Sequence, residues 1–102
     1  MKITYENELR SLQNWINNAN NGLRSMGTVT LDLASAKNTL YQINMISDGI
    51  LSEYPFYATE LKNIASILFM DFGCGTVAVN NAAFGELYII ISHSTFPADI
   101  FE

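Results

Sequence analysis

The sequence predicts an α+β domain, three amphipathic helices followed by a C-terminal β-hairpin packed on them, with an all-α arrangement as the alternative. Two observations predict it. Up to residue 72 the apolar residues recur every three or four positions, which is the spacing of one helix face. Beyond Gly75 they alternate, or cluster as β-branched and aromatic residues, as strands do. A chain of 102 residues is read as a single domain, 1–102, because ordinary domains run to about 100–150 residues. With 49% apolar and 15% charged residues, it is too hydrophobic for intrinsic disorder.

In the first predicted helix Leu9, Leu12, Ile16, Ala19, Leu23 and Met26 form the stripe, with Glu8, Arg10, Asn14, Asn17 and Asn21 between them. Thr4 is its candidate N-cap, and Gly27 supplies a C-terminal stop. The second helix is expected over residues 31–53, with Leu33, Ala36, Leu40, Ile43, Ile50 and Tyr54 on one face. Thr30 or Asp32 would cap it, and Pro55 limits it. Residues 27–33 also alternate, and are read as the approach to this helix, with a third strand as the alternative. The third helix starts at Pro55, carries Tyr57, Leu61, Ile64, Leu68 and Phe72, and stops at Gly73-Cys74-Gly75. The hairpin would pair residues 76–80 with 86–92 across a loop at 81–85. The core set is Leu12, Ile16, Leu40, Ile43, Leu61, Ile64, Leu68 and Ile90. The tail from Phe96 is apolar enough to pack back on the core, which would hold Asp99 and Glu102 in place.

Charge narrows the function. Ten carboxylates stand against five Lys and Arg, for a net charge of −5. Lys62 is the last base, and Asp71, Glu86, Asp99 and Glu102 follow it unopposed. Nucleic acid is therefore an unsuitable partner, because phosphate affinity comes from Lys and Arg releasing counterions. A membrane is no better suited: the first helix shows asparagines on its polar face where anionic lipid wants bases. The longest apolar run, 87–91, is far below the ~20 residues of a span. Without a signal-peptide core at the start, the chain is read as cytoplasmic.

Catalysis is not expected. Gly73-Cys74-Gly75-Thr76-Val77-Ala78 has the letters of a dinucleotide fingerprint, but it follows a helix and opens a strand, the reverse of what pyrophosphate binding needs. Asp71-Phe72-Gly73 spells the magnesium triplet of protein kinases without their catalytic loop. In Ser92-His93-Ser94 the neighbours on a strand point to opposite faces, so neither hydroxyl meets the imidazole. One Cys and one His make neither a disulfide nor a zinc site. Carboxylate pairs such as Glu53 with Glu60, or Asp71 with Glu86, are read as independent solvated charges. No cofactor and no metal are expected.

The remaining feature is Tyr54-Pro55-Phe56-Tyr57, three rings in four residues at a helix start, which cannot all face one core. Tyrosines left outside beside Glu53 and Glu60 would make an aromatic anchor with an acidic rim, burial of all three rings being the competing reading. The expected partner-binding residues are Glu53, Tyr54, Tyr57, Glu60, Asp71, Glu86, Asp99 and Glu102, and the expected partner is a basic protein. That combination suits a small inhibitor such as an immunity protein, which neutralises a toxic nuclease by filling its phosphate-binding groove with carboxylates. A phage-type inhibitor of a defence complex, or a helical adaptor or ligand-binding domain, is the alternative.

Overall fold

A computed structural model describes residues 6–73 and 75–92. The chain order is α1 (Glu6–Met26), β1 (Thr30–Asp32), α2 (Leu33–Ile50), α3 (Pro55–Ile67), β2 (Phe69–Gly73), β3 (Thr76–Val79) and α4 (Asn81–Ser92), a mostly helical α+β fold. α1 packs on α2 and α4, and α3 packs on the same two helices, so the four form a ring. The strands make one antiparallel sheet in the order β1-β3-β2. β1 joins the end of α1 to the start of α2, and β2 with β3 joins the end of α3 to the start of α4. The sheet therefore lies at one end of the bundle. The α2–α3 turn and the C-terminus of α4 lie at the other.

α1 buries Leu9, Leu12, Ile16 and Ala19 and exposes Asn17 and Asn21, as its stripe requires. Met26 falls outside the core at 73% exposure, because the helix ends there. Gly27 has φ 78° and its N–H donates to the Leu23 carbonyl at 2.8 Å, a left-handed terminus that glycine adopts without steric cost. Gly22 serves a different need: a Cβ there would sit 2.9 Å from Val29 Cγ2. Its bare backbone lets the returning chain pack on α1, where the Val29 carbonyl accepts the Val79 N–H at 2.9 Å.

Residues 30–32 form a strand rather than the approach to a helix, because Thr30, Leu31 and Asp32 pair with Ala78, Val77 and Thr76 of β3. Asp32 ends this strand and caps α2. Its carboxylate accepts the Ser35 hydroxyl at 2.7 Å and the Ser35 N–H at 3.2 Å, and these bonds, the hydroxyl first, hold its pKa below the ordinary aspartate range. The sign follows from linkage: a carboxyl lowered in the folded state stabilises it at neutral pH, and that contribution is lost as pH falls through the lowered value. Thermal melts should therefore show Asp32→Ala less stable than wild type at pH 7. The gap should shrink on acidification into the carboxylate range. A gap that stayed constant with pH would show that the cap is not ionic.

α2 ends at Ile50, short of the expected 53, because the Tyr54 and Glu53 N–H groups turn back onto the Ile50 carbonyl at 2.7 and 3.2 Å. Leu33, expected on the buried face, is 42% exposed at the first position of the helix. Pro55 starts α3, where its missing N–H has no helical acceptor to lose. Between the two helices the buried Ser47 hydroxyl donates to the Ala58 carbonyl at 2.6 Å.

The C-terminal third corrects the expected hairpin. α3 stops at Ile67, and Phe69, Met70 and Asp71 pair with Val79, Ala78 and Val77. The hairpin thus joins 69–73 to 76–79, one element earlier than 76–80 with 86–92. Asn80 produces the change. Its N–H and Nδ2 donate to the Leu68 and Ile67 carbonyls at 2.7 and 2.9 Å, which closes the end of α3. Its carbonyl accepts the Phe84 N–H at 2.9 Å and its Oδ1 the Ala82 N–H at 3.2 Å, which opens α4. The run 86–92 is therefore helical. Ala83, Phe84, Leu87, Ile90 and Ile91 face inward at helical spacing, and their packing outweighs a β propensity that spans only about 1 kcal/mol.

Of the expected core set, Leu12, Ile16, Ile43, Leu61, Ile64, Leu68 and Ile90 are buried and Leu40 is half-buried. Trp15 joins the sheet to α4, edge-on to Phe69 and Phe84 at 6.0 and 5.8 Å between ring centres. The expectations for Thr4, Cys74, His93 and the tail fall outside the described residues.

Candidate functional site

α3 and α4 run antiparallel, because Asn80 places the start of α4 beside the end of α3. The C-terminal half of α4 consequently lies against the first turns of α3, at the end of the bundle away from the sheet. A cleft of about 330 Å³ opens between them, lined by Phe56, Tyr57 and Glu60 from α3 and Glu86, Ile89 and Ile90 from α4.

Helical geometry places each group. The inward stripe of α3 is Ala58, Leu61 and Ile64, so Phe56 and Glu60, four residues apart, share the opposite side. Phe56 is 69% exposed and Ile89 53%, while Tyr57 and Ile90 connect the cleft to the core. The Phe56 and Tyr57 rings meet edge to face, 5.6 Å between centres. An apolar floor with two solvent-facing hydrophobes is thus flanked by a carboxylate from each helix. Among the described residues its lining contains no base. Lys62, also on α3, reaches away to Asp48 of α2 at 2.7 Å, an exposed pair of small energetic value.

Three of the expected binding residues, Tyr57, Glu60 and Glu86, come together here. Glu53 is exposed in the turn just before α3, at the same end of the bundle but outside the lining. Tyr54 is half-buried and lies outside the cleft lining. It precedes Pro55 at the start of α3 and packs against the core. Asp71 lies on β2, in the sheet at the opposite end of the bundle. Asp99 and Glu102 are outside the described residues. The cleft brings together Glu60 and Glu86, one from each of the two carboxylate pairs considered from sequence.

Phe56, Ile89 and Ile90 line the cleft but were not among the expected binding residues, Ile90 having been placed in the core. A signal for Phe56 was available: it sits four before Glu60 and off the Ala58–Leu61–Ile64 stripe. Ile89 had none, because reading 86–92 as a strand puts it on the same face as Leu87.

A second hollow of about 380 Å³ lies between α1, β1 and α2, where Ser11, Ser35, Asn38 and Gln42 surround Trp15 and Leu31. Among the described residues its lining has no ionisable side chain. Among the described residues, no group of three or more His, Cys, Asp or Glu side chains could hold a metal ion, and no helix is long and apolar enough to cross a membrane. In comparisons with protein-family models, curated proteins and solved structures, nothing matches this chain.

Proposed function

We propose that the protein is a small acidic inhibitor that binds a basic protein partner, an immunity protein of the cytoplasm that neutralises a cognate nuclease toxin by occlusion. The observation that carries this reading is the α3/α4 cleft, where exposed Phe56 and Ile89 stand beside Glu60 and Glu86. Apolar contact supplies affinity, and carboxylates supply orientation and association rate toward a surface built to hold phosphate. A phage-type inhibitor of a nucleic-acid-binding defence complex would use the same two groups. The apolar floor also suits a non-enzymatic adaptor or ligand-binding domain, which would not depend on the glutamates.

Charge reversal separates these readings. A partner is first isolated by retention on the immobilised protein at low salt. Glu60→Lys and Glu86→Lys, each checked for folding by circular dichroism, are then compared with wild type for binding at two salt concentrations. The inhibitor reading expects association slowed by about tenfold per variant at low salt, within the 10 to 10³ range of electrostatic steering, and a smaller difference at high salt. Equal association for all three proteins with no salt dependence would sink it in favour of the adaptor.

A further inference from the structure

We infer that the α3/α4 cleft receives an arginine and an adjoining large apolar side chain from one short segment of a partner protein. This deepens the inhibitor reading and rests on it for the partner's class. The size of the cleft limits the occupant. It spans one turn of each helix, residues 56–60 and 86–90, and its volume of about 330 Å³ is at the low end of the ~300–1,000 Å³ of ligand sites. That is room for a few side chains, not for a long docked helix.

Charge selects among the possible occupants. Residues 93–102, which follow α4 in the sequence, include Phe96, Ile100 and Phe101 but also Asp99 and Glu102 and no Lys or Arg, so their net charge has the same sign as Glu60 and Glu86. A second copy seated symmetrically brings the same two glutamates again, on a chain of net charge −5. Both arrangements concentrate like charge around an apolar floor. A basic segment reverses the sign of that interaction. Arginine suits the site better than lysine, because a planar guanidinium stacks on an exposed ring such as Phe56 while its fork pairs with carboxylates. The apolar neighbour then covers Ile89 and Ile90.

The probe is a capped peptide containing Leu-Arg-Leu, with Leu-Lys-Leu and Leu-Glu-Leu analogues, titrated into the isotope-labelled full chain and followed by amide NMR. The Leu-Arg-Leu peptide should shift resonances around residues 56–60 and 86–90, the lysine analogue should bind more weakly, and the glutamate analogue should not bind. Glu60→Gln and Glu86→Gln should each weaken the arginine peptide by about tenfold, the scale of one charge-assisted hydrogen bond. Phe56→Ala, at an exposed position, should remove the preference for arginine over lysine while leaving the fold intact by circular dichroism.

Equal binding of the glutamate analogue, or no shift at the cleft, would overturn the inference. So would binding seen only after residues 93–102 are removed, which would make the tail the occupant. Self-association of wild type that Phe56→Ala abolishes would make it a second copy, with the same consequence. The two readings fail separately. A macromolecular partner whose association is slowed by Glu60→Lys and Glu86→Lys but unchanged by Phe56→Ala and Glu60→Gln would sink the arginine site and leave the inhibitor standing. Peptide binding at the cleft without any inhibited partner would do the reverse.

Discussion

Leu87→Ala should cost about 2 to 5 kcal/mol of stability, whereas Ile89→Ala should stay within about 0.5 kcal/mol. The contrast comes from the geometry of α4. Two residues apart in a strand means the same face, but two residues apart in a helix means a rotation of about 200°. Leu87 is fully buried in the core beside Phe84 and Ile91, and Ile89 is 53% exposed on the rim of the cleft. Truncating Leu87 removes its burial and leaves a cavity that the surrounding ring of helices cannot readily close. Truncating Ile89 removes a side chain that water already touches. Urea unfolding of the two variants, followed by circular dichroism, makes the comparison directly. Similar losses for both would mean that residues 86–92 share one buried face, and the helical placement of the cleft would fall with that result.

Ala58→Leu should destabilise by about 1 to 3 kcal/mol or more, although leucine is nearly as good a helix former as alanine. Ala58 is completely buried where α3 meets α2, and Ser47, also completely buried, reaches its carbonyl at 2.6 Å. Two small residues let the helix backbones approach, so added methylenes have no space unless the helices separate. Separation would break the Ser47 bond and loosen the first turns of α3, which carry the cleft. Ser47→Ala provides the scale. It removes one donor while the Ala58 carbonyl remains within the α3 hydrogen-bond ladder, so about 0.5 to 1.5 kcal/mol is expected. Denaturant midpoints that ranked Ser47→Ala as the costlier change would contradict tight packing at this contact.

Single-face periodicity was sufficient to identify α1, α2 and α3, with α2 and α3 drawn longer than they are, along with nearly all of the expected core. Those helices each bury one stripe, and Gly27 and Pro55 mark their limits through backbone constraints that act locally. The acidic excess and the aromatic start of α3 were equally readable, and they brought Tyr57, Glu60 and Glu86 into consideration before any geometry was known. Three features required the tertiary structure. Residues 30–32 became a strand because β3 lies alongside them, a partner 45 or so residues distant in sequence. Asn80 became a double cap because the end of α3 came within reach of its side chain. Residues 86–92 became a helix because Ala83, Phe84, Leu87, Ile90 and Ile91 could all be buried at helical spacing in the ring, a gain larger than their intrinsic preference for strands. The cleft depends on that last choice, since only a helical α4 presents Glu86 and Ile89 to Phe56 and Glu60. Local sequence determined the first three helices and the charge they carry; contacts between distant segments decided that residues 86–92 are helical and which side chains meet.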